Sequence, residues 1–166
     1  MLYALAYVAA SVLHELAHLL AAMWFGVRIE RAFLFADVGG RVLFRRRRGK
    51  TVLGIGWWPL DSYVKLAGTG QFLHAIAGRK VTAPKDPGDI RCRSRWQRRS
   101  IFLAGVAVNL TLAAWCLHHY PDGYLRVFGW WNLAMGAWNL IPMRGLDGWY
   151  ALKDNGAVAP TPIPQP

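Results

Sequence analysis

Near the start of the chain, His14-Glu15-Leu16-Ala17-His18 sets two imidazoles four positions apart with a carboxylate between them. On an α-helix, residues at i and i+4 share one face about 5 to 6 Å apart, so both rings can reach a single metal ion. Glu15 projects beside them, where its carboxylate can take a proton from metal-activated water. A catalytic zinc needs a third protein ligand and an open fourth position. Asp147 is the candidate, in Asn139-Leu140-Ile141-Pro142-Met143-Arg144-Gly145-Leu146-Asp147-Gly148, where Pro142, Gly145 and Gly148 break the helical pattern. The expected centre is therefore Zn2+ held by His14, His18 and Asp147, with Glu15 as general base.

The elements that carry these residues are unusually apolar. Of 166 residues 54% are hydrophobic and nine are tryptophan, which exceeds the composition of an ordinary soluble domain. Three stretches approach the length of about 20 residues that a bilayer requires: Leu2 to Phe25, Ile101 to Tyr120, and Leu125 to Pro142 with a continuation towards Tyr150. The first has no basic flank before it and carries His, Glu and His where a signal peptide would be purely apolar, so it reads as a retained span. Ionisable groups at membrane depth cost at least about 2.5 to 3.5 kcal/mol each. Coordination of a metal would satisfy all three groups in this turn. The plainer alternative is a histidine–glutamate cluster that holds helices together.

Charge sets the topology. The net charge is +11, and 17 of the 20 Lys and Arg residues lie between Arg28 and Arg99. Such a basic patch could bind nucleic acid, but beside apolar spans it reads as a cytoplasmic loop touching anionic lipid headgroups. The N-terminus is then outside and the C-terminus inside. Within the loop (26–100), Val27 to Phe44 alternates loosely around Gly39-Gly40 and suggests a hairpin. The apolar, Gly-interrupted stretch from Gly54 and Gly56 to Gly68 suggests a segment that re-enters the membrane while packed on protein. Cys92 and Cys116 form no metal or disulfide pattern. The expected fold is an all-α membrane protein: three core transmembrane helices, with a short membrane-associated β-hairpin region between the first two. One core domain (1–152) would precede a disordered Pro-rich tail (153–166).

The pairing of His14-Glu15-x-x-His18 with Asn139-x-x-Pro142 and Asp147-Gly148 resembles the signature of the site-2 protease family of intramembrane zinc metalloproteases (peptidase family M50). Two further segments are similar. Gly54 to Gly68 is like the membrane-entering hairpin of the bacterial branch, and Phe102 to Asn109 is like the start of its second core helix, with Val106 where a proline is common. The resemblance implies a multi-pass protein of a bacterial cytoplasmic membrane that hydrolyses a peptide bond within a membrane-embedded segment of another protein. Asn139 would hold the substrate backbone, or else bond between helices, and the Gly54 to Gly68 hairpin would pair with the unwound substrate. With only a few residues around Pro121-Asp122-Gly123 between the later spans, the chain is expected to be a minimal core without PDZ or regulatory domain, so a separate membrane partner could regulate it. Other readings stay open: a silent zinc-binding scaffold or chaperone, a soluble zincin, and a metal transporter.

Overall fold

The computed structural model describes residues 2–59 and 62–154. The first helix, α1 (Leu2–Trp24), forms from a sequence dominated by Ala and Leu, both strong helix formers. Its buried positions are Ala6, Ala10, His14, His18 and Ala22. This strict spacing of four makes one inward ridge of small and imidazole side chains, while Leu5, Leu16, Leu20 and Met23 stay exposed. Gly26, at φ +68°, ends the helix. Its N–H bonds to Met23 O at 3.0 Å and that of Val27 to Ala22 O at 2.7 Å, the paired closure that a left-handed glycine permits.

Four strands follow: β1 (Ile29–Leu34), β2 (Val42–Arg48), β3 (Thr51–Gly56) and β4 (Tyr63–Leu66). The expectation of an all-α protein with one hairpin is overturned, because these strands form a mixed sheet in the order β2-β3-β1-β4. The turn at Gly39-Gly40 joins β1 to β2, yet the two do not pair. β1 instead runs parallel to β3 and antiparallel to β4, and the hairpin is β2 with β3. The glycines that suggested an irregular re-entrant segment mark close approach: a Cβ on Gly54 would lie 2.4 Å from the Phe33 ring, and one on Gly56 2.2 Å from the Ala36 carbonyl oxygen.

A short helix, α2 (Thr69–Ile76), and a largely irregular polar loop lead to α3 (Arg95–His119). In that loop Asp86 accepts from Gly88 N–H and pairs with Arg28 and Lys50, ties that hold its carboxyl below the usual carboxylate range. Ser94 starts α3 through a reciprocal capping box with Gln97. After a turn come α4 (Gly123–Leu140) and a seven-residue helix, α5 (Asp147–Lys153). The long helices α1, α3 and α4 pack together, with the sheet against α1.

Only α1 and α3 are long and apolar enough to cross a membrane among the described residues, which corrects the expectation of three spans. A helix does form over most of the third stretch. Its Asn, Gly and Trp residues and Arg126 dilute its apolar character, however, and the chain leaves the helix at Ile141 well before Tyr150. Of the expected tail, Lys153 ends α5 and Asp154 is fully buried; 155–166 lie outside the described residues.

That buried Asp154 locks α5 to α3. Its carboxylate receives Arg98 Nε and one terminal nitrogen at 2.8 Å each, and Arg98 is likewise fully buried. Arg95 and Arg99 donate to the Asp154 carbonyl oxygen. Removing one partner of such a pair strands a buried charge. Arg98→Met should destabilise the protein by about 3–5 kcal/mol, and Arg98→Met/Asp154→Leu should recover most of the loss; chemical unfolding of the three proteins checks both.

Candidate active site

The inward ridge of α1 brings His14 and His18 against α3, both nearly out of reach of solvent. α3 can come this close because position 105 is glycine. A Cβ there would lie 2.5 Å from His18 Nε2 and 2.6 Å from both Cε1 and Nε2 of His14. The His18 ring is oriented by its other nitrogen, whose N–H donates to Ile101 O at 2.7 Å. A carbonyl can only accept, so the proton of the neutral ring sits on Nδ1 and a lone pair on Nε2.

Asp147 reaches the same point from the far end of the chain. After α4 the backbone turns through Gly145, at φ +103°, and α5 begins at Asp147. Gly148 lets α5 fold back on α4, since a Cβ there would lie 2.4 Å from Leu140 O. Tyr150 stacks on Phe102 of α3 with ring centres 5.1 Å apart.

Three donor atoms therefore converge. His14 Nε2 and His18 Nε2 are 3.0 Å apart, and Asp147 Oδ2 lies 3.0 Å from the first and 3.2 Å from the second. Tetrahedral bonds of about 2.0 to 2.1 Å hold ligand atoms about 3.3 Å apart, so this triangle has the dimensions of one face of a zinc site. The donor set, two imidazole nitrogens and one carboxylate oxygen, is also that of a catalytic zinc with an open fourth position. His14, His18 and Asp147 form the one such cluster among the described residues.

The site lies on the wall of a cleft of about 700 Å³. Glu15, half-buried on α1, lines it beside His14 and Asp147, as do Asn139, Tyr63 and Ser62. Asn139 thus reaches the cleft, with its amide nitrogen bonded to Met135 O of its own helix at 3.1 Å rather than between helices. Gly54 and Gly56 do not line this cleft; they lie in β3, an interior strand bonded on both sides, and Gly54 lines an adjoining hollow with Glu15, Ser62 and Tyr63. The strand that lines the cleft, through Tyr63, is β4, which among the described residues is an outer strand of the sheet. Gly105 was missed by the sequence reading; its one signal is an isolated glycine inside an apolar helix, which asks for a packing reason.

The sequence matches peptidase family M50 over residues 2–121. The chain belongs to this family. Among relatives, a candidate zinc metalloprotease of Treponema pallidum is 33% identical over 63% of this chain and 22% of its own length. One of Chlamydia pneumoniae is 28% identical over 78% of the chain and 22% of its own length, and one of Chlamydia trachomatis is 32% identical over 75% and 20%. The chain thus spans about a fifth of the length of these relatives. The family match ends before Asp147, so that ligand rests on the converging geometry.

Because Gly105 leaves room for both imidazoles, Gly105→Ala should lower zinc affinity by about 10- to 100-fold, the range for residues that orient ligands. Competition with a chromophoric chelator measures it, and unchanged affinity would refute this account of Gly105.

Proposed function

We propose that this chain is a zinc metallopeptidase that hydrolyses a peptide bond within or near a transmembrane segment of another protein. The observation that carries the reading is the convergence of His14, His18 and Asp147 on a cleft that Glu15 also lines. Support for work inside a membrane comes from the helix that bears the site: only 22% of the apolar window of α1 is buried within the protein. A core helix of a soluble protein would be mostly covered, whereas lipid would cover the exposed Leu5, Leu16, Leu20 and Met23.

The sheet fits the same setting. Ile29, at the start of β1, packs in the cluster that contains Ala22, and Leu34, at its end, lines a hollow with Val12 and Glu15. The sheet thus climbs along α1 from its C-terminal end to the level of the site. β2 pairs antiparallel to β3, with Arg48 opposite Thr51 and Val42 opposite Gly56. Arg47 and Arg48 therefore sit at the same end as the α1 C-terminus, Arg46 and Arg45, opposite Leu53 and Gly54, are level with Ala32 and Phe33 of β1, and the exposed Leu43, Phe44, Trp57 and Trp58 sit deeper. We assign the basic end to anionic headgroups on the cytoplasmic side, with the N-terminus outside and a separate membrane protein as regulator.

His14, His18 and Asp147 would hold the zinc, which when bound would supply a Lewis acid for the scissile carbonyl and for water. Glu15 takes the proton of the attacking water and passes it to the departing amine. The free edge of β4 pairs with the unwound substrate through backbone hydrogen bonds, and Asn139 offers a polar contact across the cleft. The apolar surroundings of the site limit water to what the cleft admits. A silent zinc-binding scaffold would need neither a base beside the metal nor a cleft of this size.

Glu15→Gln should retain zinc and lose peptide hydrolysis by at least about 100-fold, the lower range for general acid–base groups. Metal analysis and cleavage of a single-span substrate in detergent check it. Zinc in both proteins with cleavage by neither points to the scaffold.

A further inference from the structure

Resting on the protease reading, we infer that the hollow between α1 and the sheet is the subsite that receives one apolar side chain of the substrate next to the scissile bond. Leu53, Ala32 and Val64 are direct cross-strand neighbours, since Ala32 pairs with Leu53 on one side and with Val64 on the other. Neighbours in register on one face of a sheet stand side by side. Together with Leu16 and Leu19 of α1 they line a second cavity, of about 240 Å³. The smallest side chain of the row, Ala32, stands in the middle. A larger residue there would pack against α1 and close the hollow.

Continuity with the cleft argues for the occupant. Glu15, Ser62 and Tyr63 line both cavities, so the hollow opens where the base meets the scissile bond. A strand added to the free edge of β4 advances about 3.3 Å per residue and sends alternate side chains to opposite faces. The one turned towards α1 next to the bond under attack enters the hollow. The volume falls below the roughly 300 Å³ at which pockets for whole small-molecule ligands begin, which suits a single leucine- or phenylalanine-sized group. Acidic side chains are disfavoured, because a carboxylate would be taken out of water into a lining made mostly of Val, Leu, Ala and Phe. The substrate class is thus a membrane segment with a branched aliphatic or aromatic residue flanking its cleavage point.

The test uses the full chain, zinc-loaded in detergent, and a panel of single-span substrates that carry Leu, Phe, Ala, Gly or Asp on either side of the cleavage point. The wild type should cleave the Leu and Phe members at least tenfold faster than the Gly and Asp members at one flanking position, the scale on which an apolar pocket discriminates. Ala32→Phe should retain zinc and shift the preference to Ala and Gly, and Leu16→Ala should raise the rate for Phe relative to Leu. Should Ala32→Phe cleave nothing, the Leu16→Ala ranking decides. A wild type without apolar preference, or variants that keep the wild-type ranking, would overturn the subsite while leaving the protease reading intact. A hollow held by a lipid acyl chain would show as rates that follow detergent chain length with the ranking unmoved, and overturns it too. No cleavage of any member by the zinc-loaded wild type would sink the protease reading and the subsite with it.

Discussion

The approach of α3 to α1 at Gly105 is the constraint on which the rest depends. Two imidazoles and a carboxylate separated by up to 133 positions meet within 3.2 Å, and any side chain at position 105 would occupy the space of the rings. Around that point the interface is built small. Ala6, Ala10 and Ala22 extend the α1 ridge, while Gly129 and Gly136 face Cys116 and Leu110 across the α3–α4 contact. Where lipid is the solvent, helices gain little from burying apolar area against one another, so close backbone packing and satisfied polar groups must hold them. The small ridge provides the first and coordination at the site the second.

What was legible in the sequence followed from short-range geometry. The i, i+4 spacing of His14 and His18 and the helix-breaking Pro142, Gly145 and Gly148 depend on backbone rules that hold wherever the chain lies, and the inward ridge at every fourth residue of α1 could be read the same way. The sheet was not legible, because its order is a long-range property: β1 pairs with β3 across an intervening strand, and alternation alone favours the neighbouring hairpin. The glycines of β3 misled for a related reason. Gly54 looks like a breaker in one dimension, but in three it makes room for Phe33. Asn139 lines the cleft, and the buried pairing of Asp154 with Arg98 joins residues 56 positions apart, which no local pattern announces.

If α1 faces lipid as proposed, the mixed sheet lying along it raises the question of its open backbone groups, each of which would cost several kcal/mol if bare in hydrocarbon. The order β2-β3-β1-β4 answers for the two inner strands, which are bonded on both sides. Of the outer strands, β2 ends in Arg47 and Arg48 level with the C-terminus of α1, where water or headgroups can satisfy that part of the edge. β4 is only four residues long and borders the cleft through Tyr63, so water admitted to the cleft could satisfy its edge there. On the protease reading, the open edge and a cleft that holds water would require one another.

The candidate third ligand, Asp147, sits on the element least able to hold its own position. A helix of seven residues such as α5 is far below the roughly 12 to 15 at which an isolated helix becomes even marginal, so it owes its position to contacts. Gly148 against Leu140 fixes one end, the Tyr150 ring on Phe102 the middle, and Asp154 with Arg98 the other end. The first two of these contacts are modest, and the buried ion pair offsets much of its own attraction through desolvation. Coordination of a metal by Asp147 would add a further attachment at the N-terminus of α5. Because the three donor atoms form a triangle only when α5 is docked, part of the binding free energy of a metal at this site would go into holding this helix. Metal site and C-terminal packing would then form one cooperative unit, in which a change at Arg98 or Gly148 acts on His14 and His18 without touching either.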